Sequence, residues 1–314
     1  MKTFKGLLYA VIVVAMLGSL SGCNFVSKTN YIYENGEKYT AGDRTIAEKI
    51  ETIDVNYLSG DVKLIGTDSD TISIKETSDK QLSEQQKVHT WVDGTTLYVR
   101  YCASAKGLDL NNLNKHLEIT IPEDVKLSDV NVKDSSGDVE CQNFEAENAN
   151  VSVSSGHVTI GCEVGKIKVH ASSGNITFTQ QGNSKEIDLS SSSGKITVTM
   201  ENAEKVSISA SSGKVNVNAN EIKDFQSKVS SGTGEYRFAK VPGKTDISQS
   251  SGDVSLYLPK NADLTGDFHL SSGKLFYELA FAKNGDSYVC GTGENQMKVH
   301  VSSGNVDIKA TSAE

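Results

Sequence analysis

The tripeptide Ser-Ser-Gly recurs nine times along the chain, and its spacing constrains the fold more than any other feature of the sequence. Successive copies are separated by 19, 18, 20, 19, 19, 20, 21 and 31 residues, and the glycines that end them, the turn glycines, are Gly137, Gly156, Gly174, Gly194, Gly213, Gly232, Gly252, Gly273 and Gly304. A period of about 20 residues is typical of a solenoid, in which each repeat forms one coil that packs on its neighbours.

Apolar and polar residues alternate on both sides of each turn glycine. The fifth residue before it is mostly apolar, as in Val132 and Leu189, and the second residue after it is mostly Val or Ile, as in Ile176. This alternation predicts two half-buried strands per repeat. Because two short strands cannot bury a core alone, we expect the coils to stack through parallel ladders, whose connections are right-handed. The predicted fold is therefore all-β, a single right-handed parallel β-solenoid with coils of about 19–20 residues.

The repeat also predicts details that the structure can test. Strand alternation places the second serine of each Ser-Ser-Gly on the interior side, where stacked hydroxyls would hydrogen-bond with the turns. Weaker copies of the repeat occur at 57–66 and 91–101, and the 77 residues from Gly60 to Gly137 correspond to about four coils. Residues 275–300 are expected to form an enlarged last coil or a hairpin.

The N-terminus carries the features of an exported, lipid-anchored protein. Lys2 and Lys5 precede an apolar run at residues 6–17, which has the length of the hydrophobic region of a signal peptide. The following Leu20-Ser21-Gly22-Cys23 resembles the lipobox of bacterial lipoproteins, whose cysteine receives a diacylglycerol. A plain transmembrane anchor is the alternative, but the apolar run is too short to span a bilayer. We expect residues 1–22 to be a signal peptide, 23–45 the lipidated N-terminus, tether and cap, and 46–314 the solenoid, on the extracytoplasmic face of the cell membrane.

Charge and cysteine spacing exclude several classes of function. The formal net charge of −9 argues against a nucleic-acid partner. The remaining cysteines form no C-x-x-C pair, so no metal site is expected from them, and no cofactor motif is present. Strand alternation places Cys141 and Cys162 on the interior side of successive coils. They are expected to be either buried free thiols or a disulfide between the coils. His269 and His300 could bind a metal or sense pH if they lie on adjacent coils, or could be two solvated residues.

The repeated serines do not indicate catalysis. Ser192–Lys195 matches the S-x-x-K motif of acyl-transferring enzymes, but it lies in phase with the structural repeat and lacks the accompanying S-D-N and K-T-G motifs. Parallel β-helices also include polysaccharide-active enzymes, which need carboxylate pairs at glycosidase spacing. Glu140, Glu235 and Asp307 share one exposed column but are expected several coils apart. The sequence therefore predicts a protein that is not an enzyme.

Several segments together resemble a known family. YENGEKYTAGD (33–43), IDVNYLSGDVKL (53–64), WVDGTTLYV (91–99) and the repeated S-S-G-[DKN]-[IV] are similar to the bacterial putative-adhesin family, over residues 33–309. The resemblance implies a β-solenoid of the cell envelope, with members linked to adhesion or to envelope-stress responses. We predict a lipid-anchored surface module for adhesion or for binding a protein or glycan partner. An envelope-stress sensor or regulatory scaffold, and a polysaccharide-active enzyme, are the alternatives.

Overall fold

The computed structural model describes residues 28–311, which are almost entirely extended chain. Within this range there are 22 β-strands, one 3₁₀ turn at Gly36–Lys38, no α-helix, and no segment that could cross a membrane as a helix. The first ten strands are β1 Thr29–Tyr31, β2 Thr40–Ala41, β3 Arg44–Ile46, β4 Thr52–Tyr57, β5 Asp61–Thr67, β6 Ile72–Ser78, β7 His89–Asp93, β8 Thr96–Arg100, β9 Ala105–Leu108 and β10 Lys115–Pro122.

The remaining strands contain the Ser-Ser-Gly repeats. The central ones are β11 Lys126–Ser136, β12 Val139–Ser155, β13 Val158–Ser173 and β14 Ile176–Phe238. β14 is long because the chain stays extended through three successive turn glycines. The last strands are β15 Lys244–Ser251, β16 Val254–Pro259, β17 Leu264–Ser272, β18 Leu275–Tyr277, β19 Ala282–Asn284, β20 Ser287–Cys290, β21 Asn295–Ser303 and β22 Val306–Thr311.

In the middle of the molecule each repeat pairs in parallel with the next repeat along the chain. Val132 aligns with Val151, Val151 with Val169, and Val169 with Leu189, so the partners are 19, 18 and 20 residues apart. All four side chains are at most 2% exposed. β-Branched and leucine side chains therefore stack in columns inside, as expected for residues that alternate with polar ones on a half-buried strand. We call two strands that form one layer of the stack a rung, and we name a rung by the glycine that its strands flank where there is one.

The turn glycines form a continuous column along one corner of the stack. Their φ angles lie between +110° and +152°, a region that side-chain-bearing residues rarely adopt. A β-carbon on Gly194 would also lie 2.0 Å from the carbonyl oxygen of Gly174 on the next rung, and the other turn glycines are as close to theirs. Both the backbone conformation and the close approach of neighbouring turns require glycine here.

The order of rungs in space differs from their order in the chain. A β-carbon on Gly137 would lie 2.2 Å from the Gly60 carbonyl oxygen, and β4 and β5 pair directly with β11 and β12. The expectation of about four coils between these glycines was therefore wrong. Most of residues 68–128 instead fold back on the other side of β4–β5. At the other end, the Gly304 rung (β21–β22) lies between the Gly252 rung (β15–β16) and the Gly273 rung (β17–β18).

Antiparallel strands occur at both ends, so the expectation that all ladders are parallel was wrong there. At the end that contains the N-terminal strands, which we call the closed end, β8 and β10 form the last rung. Antiparallel β7 and β6 cover that rung, and β2 and β3 extend them. A terminal rung would otherwise expose a row of unpaired backbone groups, which the antiparallel strands satisfy.

A buried ion pair lies inside the closed end. The Lys115 ammonium lies 2.7 Å from Glu76, and both side chains are at most 3% exposed. Lys115 also donates to the backbone carbonyls of Gln86 and Tyr101, and Glu76 accepts from the Tyr57 hydroxyl at 2.7 Å. Burial lowers the pKa of Lys115, against the attraction of Glu76, which raises it. The pair is fully hydrogen-bonded, as a buried charge must be to be tolerated.

The opposite end, which we call the open end, is covered only in part. The hairpin β19–β20 places β20 antiparallel to Leu264–Gly266 of β17. Within residues 28–311, β18 pairs with β22 alone. The second half of the terminal rung therefore has one free edge.

The serines of the turns do not face the interior. Both serines of every Ser-Ser-Gly lie at the surface, and the second is exposed at all nine turns, so the predicted inner ladder of hydroxyls was wrong. The last inward side chain before each turn lies three residues before the glycine, as with Ala171 and Val301. Strict alternation ends there, because the chain bends outward at the serines, and the next inward side chain lies two residues after the glycine, as with Val139 and Ile176.

Candidate functional site

The residues predicted for lipidation, Leu20, Ser21, Gly22 and Cys23, lie outside the described residues. The described chain begins at Lys28, five residues after Cys23, and enters the closed end through β1, which pairs with β9. The predicted anchor and the closed end are thus adjacent in sequence.

The exposed side chains that follow the turn glycines bond to neighbouring turns. Asp138 Oδ1 accepts a hydrogen bond from the backbone N–H of His157 at 2.7 Å. His157 Nδ1 accepts from Asn175 N–H at 3.0 Å, and Asn175 Oδ1 accepts from Lys195 N–H at 2.8 Å. Where the residue after the turn glycine is Asp, Asn or His157, its side chain thus accepts from the next turn and helps to hold successive turns together.

The carboxylates considered for polysaccharide chemistry are engaged in ion pairs. Glu140 lies 3.7 Å from Lys63, and Asp307 lies 3.1 Å from Lys309. Glu235 bonds to Arg237 at 2.6 Å and to Lys214 at 3.3 Å, and the bond to Arg237 lowers its pKa.

Their spacing also differs from the expectation. Glu235 and Asp307 are two rungs apart through Ser255, about 10 Å, closer than the chain order suggested. A general acid needs a raised pKa, so the lowered pKa of Glu235 does not suit this carboxyl group to that role.

The two histidines lie side by side on neighbouring rungs. His269 pairs with His300, and their rings are stacked with centroids 4.9 Å apart. Among residues 28–311 no group of three or more His, Cys, Asp or Glu side chains could hold a metal ion. Cys141 and Cys162 are both buried and free, and burial raises the pKa of Cys162 to about 12, which keeps its thiol protonated.

The exposed aromatic side chains of the described chain lie at the open end. Three large hydrophobic side chains are exposed in residues 28–311, and two of them, Phe276 at 51% and Tyr277 at 48%, are adjacent on β18. We call the aromatic residues of this end the end patch: Phe268, Phe276, Tyr277, Phe281 and Tyr288.

Four rings of the end patch contact one another around Tyr277, and Phe276, on the opposite face of β18, lies outside this group. Tyr277 contacts Phe281 at a centroid distance of 5.4 Å and Tyr288 at 5.8 Å, edge to face. Phe268 lies behind them, 5.4 Å from Tyr288. The hairpin β19–β20 therefore fills the interior of the terminal rung without covering Tyr277 or Phe276. Exposed apolar side chains gathered at one end of a molecule are typical of an interaction site.

A second aromatic group lies at the closed end, but its rings are engaged. We call it the aromatic row: Tyr31, Tyr33, Tyr39, Trp91 and Tyr98. Consecutive rings contact each other with centroids 4.8 to 5.6 Å apart. Lys38 lies over Trp91, and the hydroxyls of Tyr31 and Tyr33 donate to backbone carbonyls. This row is half-buried and packs the cap strands together.

Neither aromatic group was predicted from the sequence. The aromatic row joins residues up to 67 positions apart, which no local pattern reveals. The segment from Leu275 to Phe281 carries three aromatic residues within seven positions, and this density was a usable signal. Its exposure depends on the rung order, which the repeat does not specify.

Comparison with known proteins gives a family and several distant structures. The family model described as Toastrack DUF4097 matches residues 50–309. A crystal structure of a "putative adhesin" from Parabacteroides merdae is 16% identical, over 89% of this chain and 99% of that one, with a TM-score of 0.46. Another from Bacteroides fragilis is 12% identical over 85% and 95%, with a TM-score of 0.41. A "putative cell adhesion protein" from Clostridium sporogenes is 15% identical over 87% and 100%, with a TM-score of 0.32. No curated protein matches the sequence.

Proposed function

The chain belongs to the Toastrack DUF4097 family, and from this premise we propose that it is a lipid-anchored, non-catalytic surface module that binds a partner through its open end. Cys23 carries the lipid after removal of residues 1–22, on the extracytoplasmic face of the cell membrane. The stack itself is a right-handed solenoid of coils of about 19–20 residues that occupies residues 46–314, behind a tether and cap at 23–45.

The orientation of the stack supports this proposal. Ten glycines, Gly60 and the nine of the repeat, mark ten rungs, and the β8–β10 rung lies beyond them at the closed end. Eleven rungs give ten spacings of about 4.8 Å, so the two ends are about 48 Å apart. An anchor at Cys23 holds the closed end near the bilayer and presents the open end away from it.

The exposure of Phe276 and Tyr277 is the observation that carries the proposal. Phe276 lies on the outer face of β18 and Tyr277 on its inner face at the uncovered end, so both rings are available to a molecule that contacts this end. Aromatic side chains also contribute most of the binding energy at many interfaces. The aromatic row at the closed end is half-buried, so in the described chain strongly exposed aromatic side chains occur at the open end alone.

Binding to the cell envelope tests the proposed function. Labelled residues 24–314 are incubated with the envelope fraction of cells that make the protein, and retained label is measured. We expect Phe276→Asp to reduce retention at least tenfold, because a charge replaces the exposed ring. Ile32→Asp, at the closed end, changes the third exposed hydrophobic side chain, 61% exposed, and should keep wild-type retention. Equal retention by Phe276→Asp and the wild type, with equal melting temperatures, would contradict the proposal.

A further inference from the structure

The free edge of β18 has a defined hydrogen-bonding pattern. Val306 N–H donates to the Lys274 carbonyl at 3.0 Å, and Glu278 N–H donates to the Ile308 carbonyl at 2.9 Å. In a parallel ladder alternate residues turn both backbone groups toward one neighbour. Phe276 therefore bonds toward β22, and the N–H and C=O groups of Leu275 and Tyr277 point outward, where residues 28–311 provide no paired strand.

We propose that this edge pairs with the same edge of a second copy of the chain, antiparallel, about a two-fold axis at Phe276. This inference rests on the proposed function and identifies the partner of the open end as a second copy of the chain. In this register Leu275 exchanges two backbone hydrogen bonds with Tyr277 of the second copy, and Tyr277 does the same with Leu275 of the second copy. The two outward-pointing residues are separated by one residue, which is the spacing that an antiparallel pair with a central two-fold axis requires.

The charges beside β18 match each other in this register. Lys274 and Glu278 are exposed and share the outward face with Phe276, two residues before and two residues after it. Antiparallel pairing about Phe276 places Lys274 opposite Glu278 of the second copy, and the symmetry repeats the contact. Opposite charges directly across an antiparallel pair stabilise it, and a parallel arrangement would place like charges together.

The composition of the edge also favours a paired state. Proteins protect exposed edges with charges, proline or covering strands, and the closed end of this molecule uses covering strands. The chain's own β20 covers only Leu264–Gly266 of the terminal rung. The remaining edge contains Leu275, Phe276 and Tyr277 in succession, with no charge among them. An edge of this kind is a template for another strand.

Cysteine cross-linking of the full chain in its native membrane tests the contact directly. The central, non-hydrogen-bonded pair of an antiparallel ladder has Cα atoms about 4.5 Å apart, within the range that a disulfide spans. Under mild oxidation Phe276→Cys should give a reducible dimer in most of the protein, and Ile32→Cys at the closed end should not. The natural cysteines of the described chain are buried. A Phe276→Cys chain that dimerises no more than Ile32→Cys overturns the proposal.

A second test of the dimer reverses charges beside β18 and leaves the Phe276 ring in place. Full chain in detergent is measured by sedimentation equilibrium, with melting temperature as the control for folding. Lys274→Glu should weaken the dimer about tenfold, since two attractive pairs become repulsive, and Lys274→Glu with Glu278→Lys should restore it. A monomeric wild type, or a double variant as weak as the single one, overturns the proposal.

The two proposals fail in different ways. If the chain is monomeric and Phe276→Asp still abolishes envelope binding, the proposed function stands, the partner is another molecule, and this inference falls. If the dimer forms and envelope retention is unchanged by Phe276→Asp, the inference stands and the proposed function falls.

Discussion

The two ends of the stack differ in how far their terminal rungs are covered by other strands. Each has a terminal rung with unpaired backbone and an aromatic group nearby. At the closed end antiparallel strands pair the rung, Lys115 and Glu76 fill its interior, and the aromatic row is hydrogen-bonded. At the open end one short hairpin covers part of the rung and leaves Phe276 and Tyr277 exposed. The closed end is therefore paired and packed, whereas the open end keeps a free strand edge and exposed aromatic side chains.

The largest expected effect is the loss of membrane attachment when the predicted lipidated cysteine, next to the closed end, is replaced. Cys23→Ala should move the protein entirely from the membrane fraction to the soluble fraction, because no other anchor is expected. Membrane fractionation followed by immunoblotting measures it. Ser21→Ala keeps a small residue before the cysteine and should remain in the membrane fraction. Membrane retention of Cys23→Ala would contradict the anchor and the orientation derived from it.

The same substitution at the two ends should differ strongly in its effect on stability. Lys115→Met leaves Glu76 buried without its partner, which should lower the free energy of unfolding by about 3–5 kcal/mol. Lys274→Met at the open end removes an exposed charge and should change it by about 0.5 kcal/mol or less. Denaturant unfolding followed by circular dichroism measures both. Equal effects would mean that the ion pair does not stabilise the closed end.

A buried carboxyl group near the closed end should make stability depend on pH. Asp134 is 1% exposed, its Oδ2 has no hydrogen-bond partner among the described residues, and burial raises its pKa to about 6 from 3.8. The folded state therefore binds this proton more tightly than the unfolded state. This proton contributes about 1–3 kcal/mol to the free energy of unfolding. The contribution is fully present below about pH 4 and is lost as the pH rises through about 6.

The control for this prediction lies at the open end. Asp134→Asn should remove that part of the slope of unfolding free energy against pH and be more stable than the wild type at pH 8. Asp267→Asn, on the exposed side of β17, should keep the wild-type slope. A wild-type slope in Asp134→Asn would contradict the assignment.

The smallest expected effect is the difference in stability between two tyrosine variants, one in each aromatic group. Tyr33→Phe removes a hydroxyl that donates to the Cys102 carbonyl at 2.9 Å, which should cost about 1 kcal/mol. Tyr288→Phe in the end patch keeps the ring contacts and should cost less than about 0.5 kcal/mol. Thermal unfolding of both variants measures the difference. A larger cost at Tyr288 would reverse the comparison.

The central rungs could be predicted from the sequence because their contacts are local. Val132, Val151 and Val169 are one period apart, so the repeat predicts their neighbours as well as their burial. The ends could not, because the Gly60 rung contacts the Gly137 rung across 77 residues. Gly273 and Gly304 also carry the same motif, so nothing in the repeat specifies which of them lies at the end.

The candidate site depends on the same missing information. Strand alternation predicts that Phe276 points outward and that Tyr277 points inward, as in every other rung. Tyr277 is exposed because its rung is the last in space, although it is not the last in the chain. Strand alternation also predicts that the second serine of Ser-Ser-Gly points inward. This prediction is wrong because the alternating pattern gives no sign of the bend at the serines.

The insertion of β21–β22 between two earlier rungs has a mechanical consequence. The rung closest to the C-terminus has a parallel neighbour on each side, through β15–β16 and through β17–β18. A force that pulls this rung out of the stack must break the hydrogen bonds of two ladders instead of one. The rung β4–β5 near the other terminus is flanked in the same way, by β8–β10 and by β11–β12. Neither of these two rungs can leave the stack without breaking the ladders on both of its sides.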